Sequence, residues 1–341
     1  MAIPPLDQRA IEQAAARQAR LTKPAGSLGR LEGLAVRLAG MTGRIDPPLL
    51  EAVVFTLAAD HGVAAEGVSA YPREVTAQMV LNFLRGGAAI NVLAREVGAR
   101  VVIADIGVDA ELPPHPKLRA VKVRRGTDSI TRGPAMSAEE ADQAIAVGRR
   151  LVRDEQLDVV LTGDMGIGNT TASAAVICAL TSLDPTLVVG RGTGVDDEGL
   201  ERKVSAVRLA LQVNADLIKR GATEALAAVG GLEIAGLVGV ILEAAGRRKP
   251  VIVDGFISGC AALVAAAIEP GATGYMIASH RSHELGHGAV LESLGLRPLL
   301  DLDLRLGEGT GAALALPLVR AAVRLLNEMA TFDEAGVSER S

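Results

Sequence analysis

Short apolar runs rich in β-branched residues recur along the chain, separated by longer segments with helical periodicity. Runs of this kind, apolar on both faces, are typical of parallel strands that are covered by helices on each side. The predicted strands are residues 52–58, 100–106, 158–161, 251–253, 273–278 and 298–302, and residues 75–97 and 169–180 are long enough for crossover helices. The pattern predicts an α/β fold with a doubly wound, mainly parallel, Rossmann-like sheet.

The two ends of the chain differ from the middle because each has a helical pattern with no strand beyond it. Residues 5–21 and 316–332 are the predicted terminal helices. In the second, apolar residues at spacings of three and four form one face, namely Leu316, Val319, Val323, Leu326 and Ala330. We expect residues 1–45 and 312–341 to form a small helical lobe on a catalytic core of residues 46–311. The residues after 332 are expected to fray.

Composition and charge exclude several classes of protein. Hydrophobic residues make up 49% of the 341 residues, which is ample for a large core and excludes general disorder. The net charge is −5 and the basic residues are scattered, so a nucleic-acid partner is not expected. Cys178 and Cys260 lie in alanine-rich apolar runs and are interpreted as buried thiols. With neither a signal pattern nor a membrane-length apolar run in the sequence, the predicted location is the cytoplasm.

The loops after the predicted strands carry the candidate chemistry, since ligands of open α/β sheets bind beyond the carboxyl ends of the strands. The first such loop and the helix after it contain His61, Ser69, Tyr71 and Gln78. Together these side chains are suited to orient a flat heterocycle. Taken alone, His61 fits a structural histidine at the end of a strand at least as well.

The loop after the third predicted strand is rich in glycine and leads directly into a helix. Backbone amides at such a helix start, together with the helix dipole, favour a bound anion, here a single phosphate. The residues concerned are Gly166, Gly168, Asn169, Thr170 and Thr171, of which Asn169 or Thr170 is expected to cap the helix. A purely structural tight turn is the alternative.

A second glycine-rich loop, with Gly192 and the downstream Lys203, fits contacts to ribose and phosphate, although this signal is weak alone. Farther along, His280, His283 and His287 have the spacing of metal ligands on one helix face. Gly286 interrupts that segment, so a regular helix is doubtful there. A metal-dependent hydrolase that uses these histidines with Asp60 remains an alternative at this stage.

Glu308 stands between two glycines beyond the last predicted strand. The flanking glycines would let its carboxylate approach a ligand closely. The alternative is a loop glutamate that is only solvated.

Seven stretches, taken together, resemble the nicotinate-nucleotide–dimethylbenzimidazole phosphoribosyltransferases, which make the lower-ligand nucleotide of cobalamin. They follow the family's order from about residue 20 to 330. They are LTKPAGSLGRLE, ADHGVAAEGVSAYPREVTAQM, FLRGGAAINVLA, GDMGIGNTTASAA, GRGTGVDDEGLERK, VDGFISGCAAL and LRLGEGTGAALALP. The resemblance implies a homodimer that transfers phosphoribose from nicotinate mononucleotide to a benzimidazole, without metal or other cofactor.

The resemblance also implies roles for individual residues. Glu308 is the implied general base, and Asp164, where the family more often has Glu, is an implied auxiliary base. Ser69 and Gln78 match positions that line the benzimidazole pocket, with Tyr71, His61 and Leu306 as further candidates there. A non-catalytic nucleotide sensor on the same fold is the remaining alternative.

Overall fold

The computed structural model describes residues 2–49 and 51–338. Within them, six parallel strands form one sheet in the order β3-β2-β1-β4-β5-β6. These strands are β1 (Ala52–Ala59), β2 (Ala99–Gly107), β3 (Leu118–Ala120), β4 (Val159–Met165), β5 (Val251–Val253) and β6 (Met276–Ala278). Two short strands, β7 (His280–Arg281) and β8 (Leu300–Asp301), pair separately. The predicted mainly parallel α/β fold is confirmed.

Helices flank this sheet and join most of its strands. They are α1 (Gln8–Arg20), α2 (Arg30–Thr42), α3 (Glu74–Arg85), α4 (Ala89–Glu96), α5 (Ala138–Arg153), α6 (Asn169–Thr181), α7 (Asp197–Val213), α8 (Ala215–Ile218), α9 (Ala222–Val229), α10 (Leu232–Gly246), α11 (Phe256–Ile268), α12 (His287–Ser293), α13 (Thr310–Glu328) and α14 (Phe332–Ala335). No helix within residues 2–49 and 51–338 is both long and apolar enough to cross a membrane.

Some predicted elements were wrong in detail. The predicted helix at 75–97 is two helices, because Gly86 is in the left-handed region and ends α3. The first half of the predicted strand at 273–278 belongs to a 3-10 helix, Pro270–Tyr275, and the second half forms β6. The predicted strand at 298–302 is β8, which lies outside the main sheet. Strand β3 was not predicted, because a run of only three residues is too short to show a strand pattern in the sequence. Its burial in the structure does not alternate either.

The terminal segments pack together as expected. Helices α1 and α2 contact each other and both contact α13, and the isolated bridge between Leu21 and Thr331 ties the two ends. Helix α13 begins at Thr310 and ends at Glu328, so the predicted helix at 316–332 was misplaced. The predicted frayed tail was wrong for α14, which has a capping box at Thr331.

We propose that residues 1–45 and 312–341 are a separate lobe. The boundary at 312 falls inside α13, which also packs on β4 and β5 of the core. Residues 1 and 339–341 of this proposed lobe lie outside the described residues.

The chain reverses its direction across the sheet between β1 and β4, and this reversal positions the candidate site. From β1 the chain moves outward through β2 and β3, and it then returns to β4 on the other side of β1. In open α/β sheets the crevice at such a switch point is where ligands bind. Asp60 follows β1 and Gly166 follows β4, so the first two candidate loops meet at this crevice.

Candidate active site

Glu308 lies against the face of the sheet at the switch point. Its carbonyl oxygen accepts a hydrogen bond from Thr56 Oγ1 at 3.0 Å. The strand partner of Thr56 is Gly163, and a Cβ at Gly163 would overlap the Glu308 backbone. Leu57, the next residue of β1, contacts α10 at Gly236. Because successive side chains of a strand point to opposite faces, Glu308 and α10 lie on opposite faces of the sheet.

The backbone around Glu308 is unusual. Gly307, Glu308 and Gly309 have φ values of 82°, 64° and 98°, all in the left-handed region. A side chain with a Cβ rarely adopts this conformation, and non-glycine residues held there concentrate at functional sites. The position of Glu308 therefore points to a functional role.

The Glu308 carboxylate is buried, with 4% of the residue's surface exposed. Its Oε2 accepts a hydrogen bond from the backbone N–H of Ile90, at the start of α4, at 3.2 Å. Burial raises the pKa of Glu308, and the hydrogen bond from Ile90 lowers it in part. The interpretation as a merely solvated loop glutamate was wrong. A buried carboxylate with a raised pKa is a suitable proton acceptor.

Asp164, at the end of β4, lies beside the Glu308 loop. Its backbone carbonyl accepts a hydrogen bond from Glu308 N at 3.2 Å, and its Oδ2 accepts one from Asn169 Nδ2 at 3.0 Å. Burial raises the pKa of Asp164 well above its usual value, and the nearby carboxylates of Asp254, Glu233 and Glu308 raise it further. These carboxyl groups therefore disfavour one another's ionisation, and a cationic ligand would favour their charged forms.

Asp254 directly follows β5 and holds the start of α13. Its Oδ2 accepts from Gly309 N at 3.1 Å and its Oδ1 accepts from Ala312 N at 3.0 Å. Helix α13 has no side-chain cap of its own at Gly309, so Asp254 supplies that function from another strand. Burial raises the pKa of Asp254 to about 7, although several backbone N–H groups counteract the shift. Asp254 thus fixes the residue next to Glu308.

The glycine-rich loop after β4 runs into α6 as the sequence predicted, but its cap differs. The N-cap is Gly168, with φ 95° and no side-chain cap bond. The expectation that Asn169 or Thr170 caps the helix was wrong, because Asn169 turns to Asp164 and Thr170 turns to Lys203. Thr171 is fully buried in the helix.

Lys203 reaches the start of α6 from α7. Its ammonium donates a hydrogen bond to Thr170 Oγ1 at 3.0 Å, and only 1% of the residue is exposed. A Cβ at Gly192 would lie 2.7 Å from Lys203 Nζ and 2.8 Å from Thr170 Oγ1, so the second glycine-rich loop also meets here. Burial lowers the pKa of Lys203 to about 8, and the charge of Glu284 counteracts part of this shift. A cation is therefore buried beside a helix start, which is a suitable arrangement for an anion.

Hydrogen bonds connect these loops to one another. Thr193 Oγ1 lies 3.2 Å from Ser69 Oγ and accepts from Ala70 N at 3.1 Å. Arg305 Nη1 donates to Gly192 O at 2.9 Å, which joins the Glu308 loop to the second glycine-rich loop. The candidate site is therefore one connected set of loops.

The remaining sequence-predicted residues divide into two kinds. Tyr71 and Leu306 are 55% and 58% exposed, and Gln78 is also exposed. His61 is instead buried, with Nε2 2.7 Å from Glu233 Oε1. The structure does not bring His61 to the surface with the others.

The three histidines do not converge. His283 is exposed, while His280 and His287 are buried with ring centroids 6.2 Å apart. Burial lowers the pKa of His280 to about 4 and that of His287 to about 3, so both are neutral near pH 7. His287 Nδ1 accepts a hydrogen bond from Ser282 N at 2.8 Å. In the described part of the chain no group of three or more His, Cys, Asp or Glu is placed to hold a metal ion.

Comparison with known proteins decides the family. A family model described as "Phosphoribosyltransferase" matches residues 3–337. The nicotinate-nucleotide–dimethylbenzimidazole phosphoribosyltransferase of Chloroflexus aurantiacus is 59% identical, over 99% of this chain and 97% of that protein. The enzyme of the same name from Geobacter sulfurreducens is 54% identical, over 98% of this chain and 96% of its own length. The chain belongs to the nicotinate-nucleotide–dimethylbenzimidazole phosphoribosyltransferase family.

A solved structure agrees with this assignment. The crystal structure of CobT from Thermus thermophilus superimposes with a TM-score of 0.93 at 51% identity, covering 97% of this chain and all of that one. The resemblance inferred from the sequence is confirmed, and the chain is a phosphoribosyltransferase. Neither a metal-dependent hydrolase nor a nucleotide sensor receives support from these relatives.

Sequence reasoning missed some residues of the candidate site. Asp254 directly follows a predicted strand, so the rule that singled out the other loops would have found it. Arg305 and Thr193 lie within loops that were singled out. Their hydrogen bonds to other loops depend on tertiary contacts, which the sequence does not show. Thr56 is inside a buried strand and has no signal in the sequence.

Proposed function

We propose that this enzyme transfers the phosphoribosyl group of nicotinate mononucleotide to 5,6-dimethylbenzimidazole, giving nicotinate and α-ribazole 5′-phosphate. The observation that carries the proposal is the buried Glu308 carboxylate in a left-handed loop at the switch point. The names of the close relatives state the same two substrates.

The proposed reaction exchanges one C–N bond for another. The lone-pair nitrogen of the benzimidazole attacks the anomeric carbon on the face opposite nicotinate. The bond from that carbon to nicotinate breaks, and its electron pair neutralises the pyridinium. The configuration inverts from β to α. The other benzimidazole nitrogen loses its proton to Glu308, a step that typically contributes about 10²–10⁴-fold to the rate.

The negative potential of the site supports this chemistry. The donor pyridinium and the transition state both carry positive charge near the anomeric carbon. With the anomeric carbon proposed to lie beside Glu308, its fixed and buried carboxylate would stabilise that charge with little reorganisation. We assign Glu308 Oε1 as the proton acceptor, since Oε2 is held by Ile90 N. Asp164 is proposed as an auxiliary group that orients Asn169.

The nucleotide phosphate is proposed to bind between the two glycine-rich loops. Lys203 supplies a positive charge, and the backbone at the start of α6 supplies hydrogen-bond donors. The proposed phosphate contacts are Gly166, Gly168, Asn169, Thr170, Thr171, Gly192 and Lys203.

The benzimidazole is proposed to bind beside Ser69, Tyr71, Gln78 and Leu306. His61 is buried with Glu233, so we propose that it supports this loop from behind. Large apolar side chains exposed in these loops favour a protein contact there, and we propose a homodimer. We further propose that the enzyme is cytoplasmic, where the free, buried Cys178 and Cys260 would stay reduced.

The proposal is tested by mixing the purified protein with nicotinate mononucleotide and 5,6-dimethylbenzimidazole in the presence of a chelator. We expect nicotinate and α-ribazole phosphate to appear in equal amounts by chromatography, at a rate that the chelator does not change. The cationic leaving group needs no Lewis acid. Loss of activity in chelator, restored by a metal ion, would contradict the proposal. Nucleotide binding without a product would favour a sensor.

A further inference from the structure

Glu284 is a buried carboxylate that the proposed mechanism does not use. Only 7% of the residue is exposed, and no described residue donates a hydrogen bond to its Oε2. Leaving a buried charged oxygen unpaired costs free energy, so such an atom in a binding region indicates a missing partner.

The carboxylate of Glu284 faces the second glycine-rich loop. A Cβ added to Gly190 would overlap Oε2 of Glu284 and would lie 3.2 Å from its Cδ. Two residues farther along the same loop, Gly192 lies against the ammonium of Lys203. Glu284 acts on Lys203 electrostatically, but Lys203 does not donate to the free oxygen. A buried cation and a buried carboxylate therefore line the same loop with no hydrogen bond from Lys203 to the free oxygen of Glu284.

The segment that carries Glu284 is firmly held. Gly286 N donates to Val188 O at 3.1 Å, which ties the segment to the residues that lead into the glycine-rich loop. Ser282 Oγ accepts from Glu284 N at 3.3 Å, and Ser282 N donates to His287 Nδ1 at 2.8 Å. Since the segment is fixed before any ligand arrives, the carboxylate is preorganised for a hydrogen-bond donor.

The donor nucleotide offers few groups that such a carboxylate could accept from. With its phosphate as a dianion and its nicotinate ionised, nicotinate mononucleotide has hydrogen-bond donors only at the ribose 2′ and 3′ hydroxyls. A phosphate held by Lys203 would bring the attached ribose alongside the same loop.

We propose that Glu284 binds a ribose hydroxyl of the donor nucleotide and selects ribonucleotides over deoxyribonucleotides. The inference rests on the proposed function, since it takes the nucleotide phosphate to lie at Lys203. Glu284 acts on binding rather than on proton transfer.

The test measures the affinity of the full chain for nicotinate mononucleotide and for its 2′-deoxy and 3′-deoxy analogues by calorimetry. A hydrogen bond to a charged group predicts that the wild type prefers the ribonucleotide over one of the analogues about 10- to 100-fold. Glu284→Ala should reduce that preference to within about threefold, and Glu284→Gln should give an intermediate value. The affinity for inorganic phosphate should stay unchanged in both variants. Glu292→Gln, at an exposed position of α12, is the matched control.

Gly190→Ala provides a second route if the Glu284 variants fold poorly. The φ of Gly190 is not positive, so alanine is conformationally allowed, but its Cβ displaces the carboxylate. It should lower the preference for ribose in the same way.

Two results would overturn the inference. One is a ribose preference in the variants equal to that of the wild type. The other is an equal loss of affinity for the ribonucleotide, its analogues and inorganic phosphate, which would mean that Glu284 only keeps Lys203 charged. Failure of the proposed function looks different, because the wild type would then produce no α-ribazole phosphate at all.

Discussion

The candidate site has a buried group and an exposed group of side chains. Asp164, Lys203, Asp254 and Glu308 form the buried group, where each side chain has a hydrogen-bond partner and little exposed surface. Tyr71, Gln78 and Leu306 form the exposed group, which is open to solvent in the single chain. If the proposed sites are right, one chain preorganises the charged groups around the nucleotide, whereas the side chains proposed to contact the base stay open to solvent until another surface covers them.

The buried group depends on glycines at which the backbone of one segment comes close to another segment. Glycines 163, 192 and 309 lie where a Cβ would overlap neighbouring atoms of the site. Close approach of backbones lets charged groups from different strands meet without intervening side chains. The side chains of the exposed group do not need such close approach of backbones, and larger side chains are present there. Rate should therefore depend on the buried group, and preference for the base should depend on the exposed one.

The largest expected effect is that of Glu308→Gln. We expect turnover to fall about 10²–10⁴-fold, because glutamine keeps the shape of the side chain but cannot take the proton. The affinity for nicotinate mononucleotide should stay within about threefold. Steady-state kinetics and calorimetry measure the two quantities, with Glu292→Gln as control. Near-full turnover with normal binding would remove Glu308 as the base.

The wild-type rate should fall on the acidic side as Glu308 becomes protonated. Because burial raises the pKa of Glu308, this loss should begin at a higher pH than for a free glutamate. The acidic limb should be absent in Glu308→Gln. If Glu308→Gln kept the same loss of rate at low pH, that loss would come from the protonation of another group.

Lys203→Met should weaken nucleotide binding about 10- to 100-fold, since it replaces a charged hydrogen-bond donor with an apolar side chain of similar length. The apparent affinity for the benzimidazole should change little. In the wild type, the nucleotide affinity should fall as the pH rises past about 8, because the lowered pKa of Lys203 makes it lose its charge there. Lys219→Met, at an exposed lysine, is the matched control. Equal losses in both variants would contradict a specific phosphate contact.

Asp254→Asn should lower turnover about tenfold without changing nucleotide affinity. The amide replaces one acceptor oxygen with a donor, so it cannot hold both Gly309 N and Ala312 N, and Glu308 is displaced. Measurement of kcat and Kd separates this effect from general destabilisation, which thermal unfolding reports. A variant with normal turnover would show that α13 does not need this cap.

The smallest effect is expected in the exposed group. Leu306→Ala should raise the KM for 5,6-dimethylbenzimidazole by about fivefold, because an apolar contact that is partly open to solvent contributes about 1 kcal/mol, the lower end of the usual range. The Kd for nicotinate mononucleotide should not change. Leu209→Ala, an exposed leucine on α7, serves as control. An effect on nucleotide affinity instead would mean that the two groups are not separable.

Most of the fold could be predicted from the sequence, because the long buried strands leave a clear apolar signal. The residues after β1 and β4 were also identifiable, since ligand sites follow strand ends. The short strand β3 and the cap that Asp254 provides for α13 could not be predicted, because both depend on contacts between distant segments. A structural role for His61 was among the interpretations of the sequence, but its partner Glu233 was missed for the same reason.

In the proposed reaction the base lies against the exposed group within reach of Glu308, and it attacks the anomeric carbon on the face opposite nicotinate while Lys203 holds the phosphate. The most direct test is the anomeric configuration of the wild-type product, determined by NMR on the nucleotide made from β-nicotinate mononucleotide. We expect only the α anomer, formed in equal amount with nicotinate. A β-linked product, or a mixture of anomers, would contradict attack from the opposite side.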